Sequence, residues 1–318
     1  MAIKNFLKYV EIQTKVASVL PILLGTLYSV YRYKSFHYIN FIIMFISLIS
    51  FDMATTAINN YIDYKKSHAR VGQNYSKHKS IVKEGIGETS AVIIIFILLT
   101  IAIIFGLILV AKTSVIVLII GVLAFAVGIL YTFGPIPISR MPLGEIFSGF
   151  FMGFVIMFLS IYIQTYDLNI IGLSFSKGIL SLNINALECL YIFMISIPAI
   201  GGIANIMLAN NICDVEEDIV NKRFTLPYYW GRVNSLRLFN ILYYIGYLDI
   251  ILMVVIGVVP VALLLVLLTF IPVNKAIKTF NKTQVKAETF VLSVKNFVLM
   301  NGSLIILLLG GLLVRQFI

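Results

Sequence analysis

Apolar residues fall into long unbroken runs along this chain, and those runs predict its architecture before any single residue does. Ala91 to Ala111 and Thr113 to Phe133 hold 21 residues each, with Lys112 alone between them. About 20 consecutive apolar residues cross the hydrocarbon core of a bilayer as a helix, so each run predicts a membrane span. Seven further runs read the same way: Val16 to Tyr31, Tyr38 to Thr56, Ile146 to Tyr166, Cys189 to Ala209, Leu238 to Ile256, Val258 to Val273 and Phe297 to Val314. The last break before the end is set by Gly257 and Pro260, which divide one long apolar stretch into two helices. The expected fold is all-α, a polytopic membrane protein with nine transmembrane helices. Lys4, Lys8 and Lys15 resemble the basic start of a signal peptide, but Tyr28 to Tyr33 offers no small-residue cleavage site. The first span is therefore expected to stay.

Composition agrees, with 60% of residues hydrophobic and only 12% charged. The formal charge of +10 is uneven along the chain. With the N-terminus cytoplasmic, 19 of the 24 lysines and arginines fall on the cytoplasmic side, and only Arg32, Lys34, Lys112, Lys177 and Arg315 fall outside. Cytoplasmic loops accumulate Lys and Arg, so the expectation is a multi-pass protein of the cell membrane with its N-terminus in and its C-terminus out. The positive charge reads as topology and not as a nucleic-acid footprint. Cys189 and Cys213 lie at opposite ends of one predicted helix, so no disulfide is expected. His37, His68 and His78 lack metal-ligand spacing, and there is no nucleotide-binding glycine loop or serine elbow.

Polar residues interrupt this pattern twice in the same way. Asn59-Asn60-Tyr61-Ile62-Asp63 and Asn210-Asn211-Ile212-Cys213-Asp214 both sit where an apolar run meets a charged segment, 151 residues apart. A carboxylate at a helix end is often a solvated cap, but a repeat in both residue and spacing points to one polar site built by an internal duplication. The second copy continues to Asp218, four residues after Asp214, which puts both carboxylates on one helix face. Paired cations follow each copy, Lys65 and Lys66 with Arg70 nearby, then Lys222 and Arg223. Polar groups inside a membrane helix are costly, so Asp52, Asn59, Asn205 and Asn210 are expected to face a cavity. Oxygen ligands and flanking cations suit Mg²⁺ carrying a phosphate, here a diphosphate. A diphosphate head joined to a hydrocarbon tail, as in a polyprenyl diphosphate, fits both the polar site and the bilayer around it.

These residues resemble the UbiA superfamily of membrane-embedded aromatic prenyltransferases, whose two aspartate-rich motifs read N-D-x-x-D-x-x-x-D and D-x-x-x-D. Within it the chain is most similar to the branch acting on 1,4-dihydroxy-2-naphthoate. That narrower likeness is carried by Val10 to Lys15 running into Pro21 to Thr26, by Tyr131 to Pro137 with Leu143 to Ile146, and by Lys222 to Pro227 ahead of Gly231. The first motif departs from the pattern: Asn60 stands for an Asp, and Ser67 and Ala69 stand where a further Asp is expected. The resemblance implies a single domain, 1–318, with a ring of two four-helix repeats, about 1–135 and 144–273, and a last helix at about 297–314. It implies Mg²⁺ on Asn59, Asp63, Asn210, Asp214 and Asp218, with Asp63, Asp214 and Asp218 catalytic. Diphosphate would be held by Asn59, Asn60, Lys65, Lys66, Arg70, Asn210, Asn211, Lys222 and Arg223. The loops of residues 61–88 and 213–237 would close over it. The aromatic acceptor would meet Gln13, Lys15, Tyr131 and Glu145, and the reaction would release pyrophosphate and CO₂ to give demethylmenaquinone. Two alternatives stand beside this: another aromatic acceptor such as 4-hydroxybenzoate, and a membrane transporter.

Overall fold

The computed structural model describes residues 3–68, 86–134 and 137–317, without the side chains of residues 66–68 and 315–317. Ala69, Arg70, Lys77, Lys79, Lys83 and His78 lie outside the described residues, as do the side chains of Lys66, Ser67, His68 and Arg315.

A short helix α1 (Ile3–Tyr9) and a tight turn at Ile12–Lys15 lead into α2 (Val16–Tyr33). Then follow α3 (Tyr38–His68), α4 (Glu88–Lys112), α5 (Val115–Thr132) and α6 (Gly144–Thr165). A two-stranded hairpin, β1 (Ile171–Ser176) and β2 (Ile179–Ile184), precedes α7 (Ala186–Cys213) and the short α8 (Val215–Val220). The chain finishes with α9 (Leu226–Val255), α10 (Val261–Lys282) and α11 (Phe290–Phe317). Among the described residues nine of these helices are long and apolar enough to cross a membrane, in the expected order. The break between α9 and α10 falls where expected, at Gly257 with φ 74° and the following Pro260.

The expected all-α fold of membrane-length helices is borne out, with two additions. Several helices extend well past their apolar cores: α3 runs on to His68, α7 to Cys213, and α9 starts at Leu226. A helix hydrogen-bonds its own backbone in water as well as in lipid, so it need not stop where hydropathy falls. Both Asn-Asn-x-x-Asp motifs therefore ride on the last turns of long helices. The fold is also not purely helical. Residues 171–184 alternate with period two, placing Ile171, Leu173, Phe175, Leu180, Leu182 and Ile184 on one face of the hairpin. Ser174, Ser176, Ser181 and Asn183 take the other face. Lys177 (φ 50°) and Gly178 (φ 80°) supply the two left-handed residues that a tight two-residue hairpin turn needs.

α6 and α7 approach most closely. A Cβ built on Gly153 would lie 2.6 Å from the Ile200 backbone, and one on Gly149 would lie 2.8 Å from the Ile200 carbonyl. Both glycines belong to a stretch of α6, Gly149–Val155, wound as a π-helix. Small residues of this kind let membrane helices pack backbone to backbone. Far from the motifs, Arg32 of α2 clamps Glu188 of α7 with two hydrogen bonds of 2.7 and 2.6 Å. α4 and α5 instead leave residues such as Phe96, Ile104 and Leu123 on the outside, as lipid-facing helices do.

Candidate active site

A cavity of about 1230 Å³ lies between α2, α3, α4, α5, α6, α7 and α11. Most of its wall is apolar, including Leu48, Leu107, Val127, Phe147, Phe151 and Leu159. Phe51 and Phe125 stack across one side with ring centroids 3.9 Å apart. Polarity is concentrated on α3. Asp52, Thr55, Thr56, Asn59, Asn60 and Asp63 all line the cavity at steps of three or four residues, so they form one stripe down a single helix face. At 1.5 Å per residue the stripe is about 16 Å long. Glu11, Gln13, Thr14 and Ser18 line the cavity from the N-terminal turn and the start of α2.

The Asp52 carboxylate is held by two neighbours. Lys15 Nζ donates to its carboxylate at 2.8 Å and to its backbone carbonyl at 3.1 Å, and Ser18 donates to the other carboxylate oxygen. Lys15 also reaches Thr56 Oγ1 at 2.6 Å and is only 3% exposed, so it stands behind Asp52 and not on the cavity wall. Asp52 and Asn59 face the cavity as expected. Asn205 does not: it is fully buried and donates to the Phe239 carbonyl on α9 at 3.0 Å. Its neighbour in sequence pattern, Asn210, is half-buried.

In motif one, the Asn60 side-chain nitrogen donates to the Tyr9 carbonyl at 2.9 Å and to Glu11 at 3.3 Å, which leaves its oxygen as the only side-chain atom able to meet a cation. Lys65 turns away to Glu88 at the start of α4, where the Tyr61 hydroxyl also binds at 3.1 Å. In motif two, Asp214 caps α7 and Asp218 lies on α8, with the Asp218 N–H donating to the Asp214 carbonyl at 2.7 Å. Each carboxylate has one cation. Lys286 pairs with Asp214, and Arg223 Nε lies 3.4 Å from Asp218. Burial pushes the Asp218 carboxyl above the usual carboxylate range; Arg223 works against that and the Asp214 charge adds to it. Arg223 is held in turn by the Ser139 carbonyl at 3.3 Å, and the Phe224 N–H donates to the Arg140 carbonyl at 3.1 Å. Lys222 is exposed.

Asn211 is directed inwards, donating to Glu145 Oε1 at 2.8 Å. Tyr131 borders the cavity close to the start of α6, since a Cβ on Gly144 would lie 3.5 Å from its hydroxyl. The Tyr131 hydroxyl, Glu145 Oε2, Asn211 Oδ1 and Asp218 Oδ2 are all buried without a hydrogen-bond partner. Unpaired buried polar atoms cost free energy, so they mark space meant for a ligand, an ion or water. The four residues expected at the acceptor end thus separate: Lys15 pairs with Asp52, Glu145 with Asn211, Tyr131 lies by the start of α6, and Gln13 is on the cavity wall.

Among the described residues, no three His, Cys, Asp or Glu side chains come together as a ready-made metal cluster. Asp63 stands apart from the Asp214–Asp218 pair, although Met207, two turns before Asp214 on α7, borders the same cavity as Asp63. The available donors are carboxylate and amide oxygens, with Asp218 Oδ2 unpaired, a set that suits a hard cation. Sequence reading missed Lys286 and Ser18, which touch the expected carboxylates from 72 and 34 residues away.

The model of the UbiA prenyltransferase family matches residues 18–301. The chain is 29% identical over 304 residues to a 1,4-dihydroxy-2-naphthoate octaprenyltransferase of Bacillus subtilis (strain 168), covering 96% of this chain and 90% of that one. Its fold is similar to a UbiA homologue from Aeropyrum pernix K1, with TM-score 0.64 and 16% identity over 96% of this chain and 98% of that one. It is also similar to a UbiA homologue from Archaeoglobus fulgidus bound to DMAPP and Mg²⁺, with TM-score 0.62 and 13% identity over 96% and 99%. A family match over residues 18–301, on a fold with nine membrane-length helices among the described residues, means that the chain belongs to the UbiA prenyltransferase family and is a multi-pass membrane prenyltransferase.

Proposed function

We propose that this enzyme transfers a polyprenyl group from polyprenyl diphosphate to 1,4-dihydroxy-2-naphthoate, releasing pyrophosphate and CO₂ and yielding demethylmenaquinol, the reduced form of demethylmenaquinone. The observation that carries this reading is the α3 stripe, which brings a polar track from motif one into an otherwise apolar cavity. A diphosphate at the motif end leaves its tail to the apolar wall and its reacting carbon beside the stripe. The Bacillus subtilis relative, named for octaprenyl transfer to this naphthoate, supports the choice of acceptor.

The duplicated motif supports a single domain of two four-helix repeats, α2 to α5 and α6 to α10 without α8, followed by α11. In that arrangement each copy of Asn-Asn-x-x-Asp falls on the second span of its repeat. Positive loop charge supports a cell-membrane protein whose motifs face the cytoplasm.

Mg²⁺, once bound by Asp214 and Asp218 with Asp63 and the motif asparagines, supplies positive charge to the departing pyrophosphate. The chain's own part is to hold and neutralise. Arg223 and Lys222 lie close enough in sequence to motif two to share the phosphate charge, while Lys65 must leave Glu88 to do so. Asp52, oriented by Lys15 and Ser18, is positioned to accept a hydrogen bond from a phenolic hydroxyl and so raise the electron density of the ring. The stacked Phe51–Phe125 wall keeps water from the allylic cation.

Incubating purified protein with Mg²⁺, 1,4-dihydroxy-2-naphthoate and farnesyl or longer diphosphates, then analysing the lipid extract by mass spectrometry, tests the proposal. Prenylated, decarboxylated naphthoquinol is the expected product. Product from 4-hydroxybenzoate in its place would retain the prenyltransferase and reject the acceptor.

A further inference from the structure

Lys286 lies on the connection between α10 and α11, remote in sequence from both motifs, yet its ammonium pairs with Asp214. The backbone around it is well secured. The Val285 N–H donates to Thr289 Oγ1 at 3.0 Å, the Thr289 N–H returns to the Val285 carbonyl at 2.8 Å, and Gln284 donates to the Phe280 carbonyl at 2.6 Å. The side chain is less confined, with 54% of it exposed against 10% for Asp214. Directly after this connection, Phe290, Val291 and Val294 border the cavity. The start of α11, directly after the connection, is therefore part of the cavity wall.

Charge at motif two is balanced in this state. Asp214 and Asp218 face Lys286 and Arg223, and Lys286 acts on Asp218 as well as on Asp214. A bare divalent cation approaching Asp214 must first displace an ammonium already there. A cation that arrives with a diphosphate gives that ammonium a new anionic partner within reach of its flexible stem.

We propose that Lys286 is a switching ligand of the diphosphate site, which occupies Asp214 in the empty enzyme and passes to the phosphate oxygens when metal and diphosphate bind. This rests on the reading that motif two takes a metal–diphosphate. The consequence is thermodynamic coupling: metal alone binds poorly, and metal with diphosphate binds well.

The test is direct binding, without turnover. Mn²⁺ alone is titrated by electron paramagnetic resonance, and inorganic pyrophosphate in saturating Mg²⁺ by calorimetry, on wild type, Lys286→Gln and Lys286→Arg. A half-exposed ion pair is worth about 1 kcal/mol, or about fivefold. Lys286→Gln is expected to bind Mn²⁺ alone about fivefold more tightly and pyrophosphate about fivefold more weakly, while Lys286→Arg retains both wild-type values. Changes of the same sign in both titrations, or none in either, overturn the switch. If wild type binds no pyrophosphate in Mg²⁺, the reading of motif two itself falls. Lys286→Arg keeps the charge and the docking of α11, so misfolding of the glutamine variant alone is detected as loss of both activities there and neither in the arginine variant, which also counts against the switch.

Discussion

Removing either carboxylate of the second motif strands a cation: Asp214→Ala leaves Lys286 without its partner, and Asp218→Ala leaves Arg223. Under the proposed function it also removes a ligand from the group that must offset the leaving pyrophosphate. Each substitution is expected to lower prenyl transfer by at least about 100-fold with the protein still membrane-inserted. Product yield per folded enzyme checks this, and near-normal yield removes the role. Lys15→Met acts differently, because it removes the ammonium that pairs with Asp52 inside the bundle. Breaking such a pair costs about 3 to 5 kcal/mol, so the melting temperature in detergent is expected to fall clearly, more than for Asp52→Asn. At this scale the motifs were legible because polar residues interrupting an apolar run are expensive and need a reason. Their partners were not. Lys15 with Asp52 and Lys286 with Asp214 are 37 and 72 residues apart, and such contacts depend on which helix faces pack together.

Among the elements, the glycine contact between α6 and α7 sets how near motif two comes to the cavity. Gly153→Leu adds a side chain where even a Cβ would lie 2.6 Å from the Ile200 backbone, so the helices must separate. Overpacking of this kind costs about 1 to 3 kcal/mol or more, and activity is expected to fall with stability. Circular dichroism melts alongside product assays decide it; an unchanged melt would mean that the π-turn absorbs the strain. The spans were legible because a run of about 20 apolar residues has one low-energy fate in a bilayer. The hairpin was not, since its apolar residues mostly alternate with polar ones and never form a long run. Helix ends were also lost, because hydropathy reports where lipid stops and hydrogen bonding reports where the helix stops.

For the whole molecule, helix direction fixes which ends share a side. α3 and α7 both end at their motifs, so Lys222 and Lys282 lie at one end of the bundle and Lys177 at the other. Single cysteines at these positions in intact cells are expected to react with an impermeant maleimide only at position 177, given the positive-inside charge pattern. Labelling of 222 and 282 from outside would invert the orientation, and labelling of 222 from the side opposite 282 would break the common site. Orientation could be argued from charge alone; the cavity could not, because no residue pattern encodes a volume.

The hairpin between α6 and α7 has a practical consequence for handling the enzyme outside its membrane. Phe175 is 74% exposed and Leu180 and Leu182 are 65% and 59% exposed, all on one face. In a micelle this face covers itself with surfactant or with a neighbouring molecule, and exposed apolar strands are poor at staying single. Replacing all three by serine is expected to sharpen the size-exclusion peak and slow precipitation on concentration. Catalysis should be unaffected, because motif two sits at the opposite end of α7; a broad peak that persists would locate the self-association elsewhere.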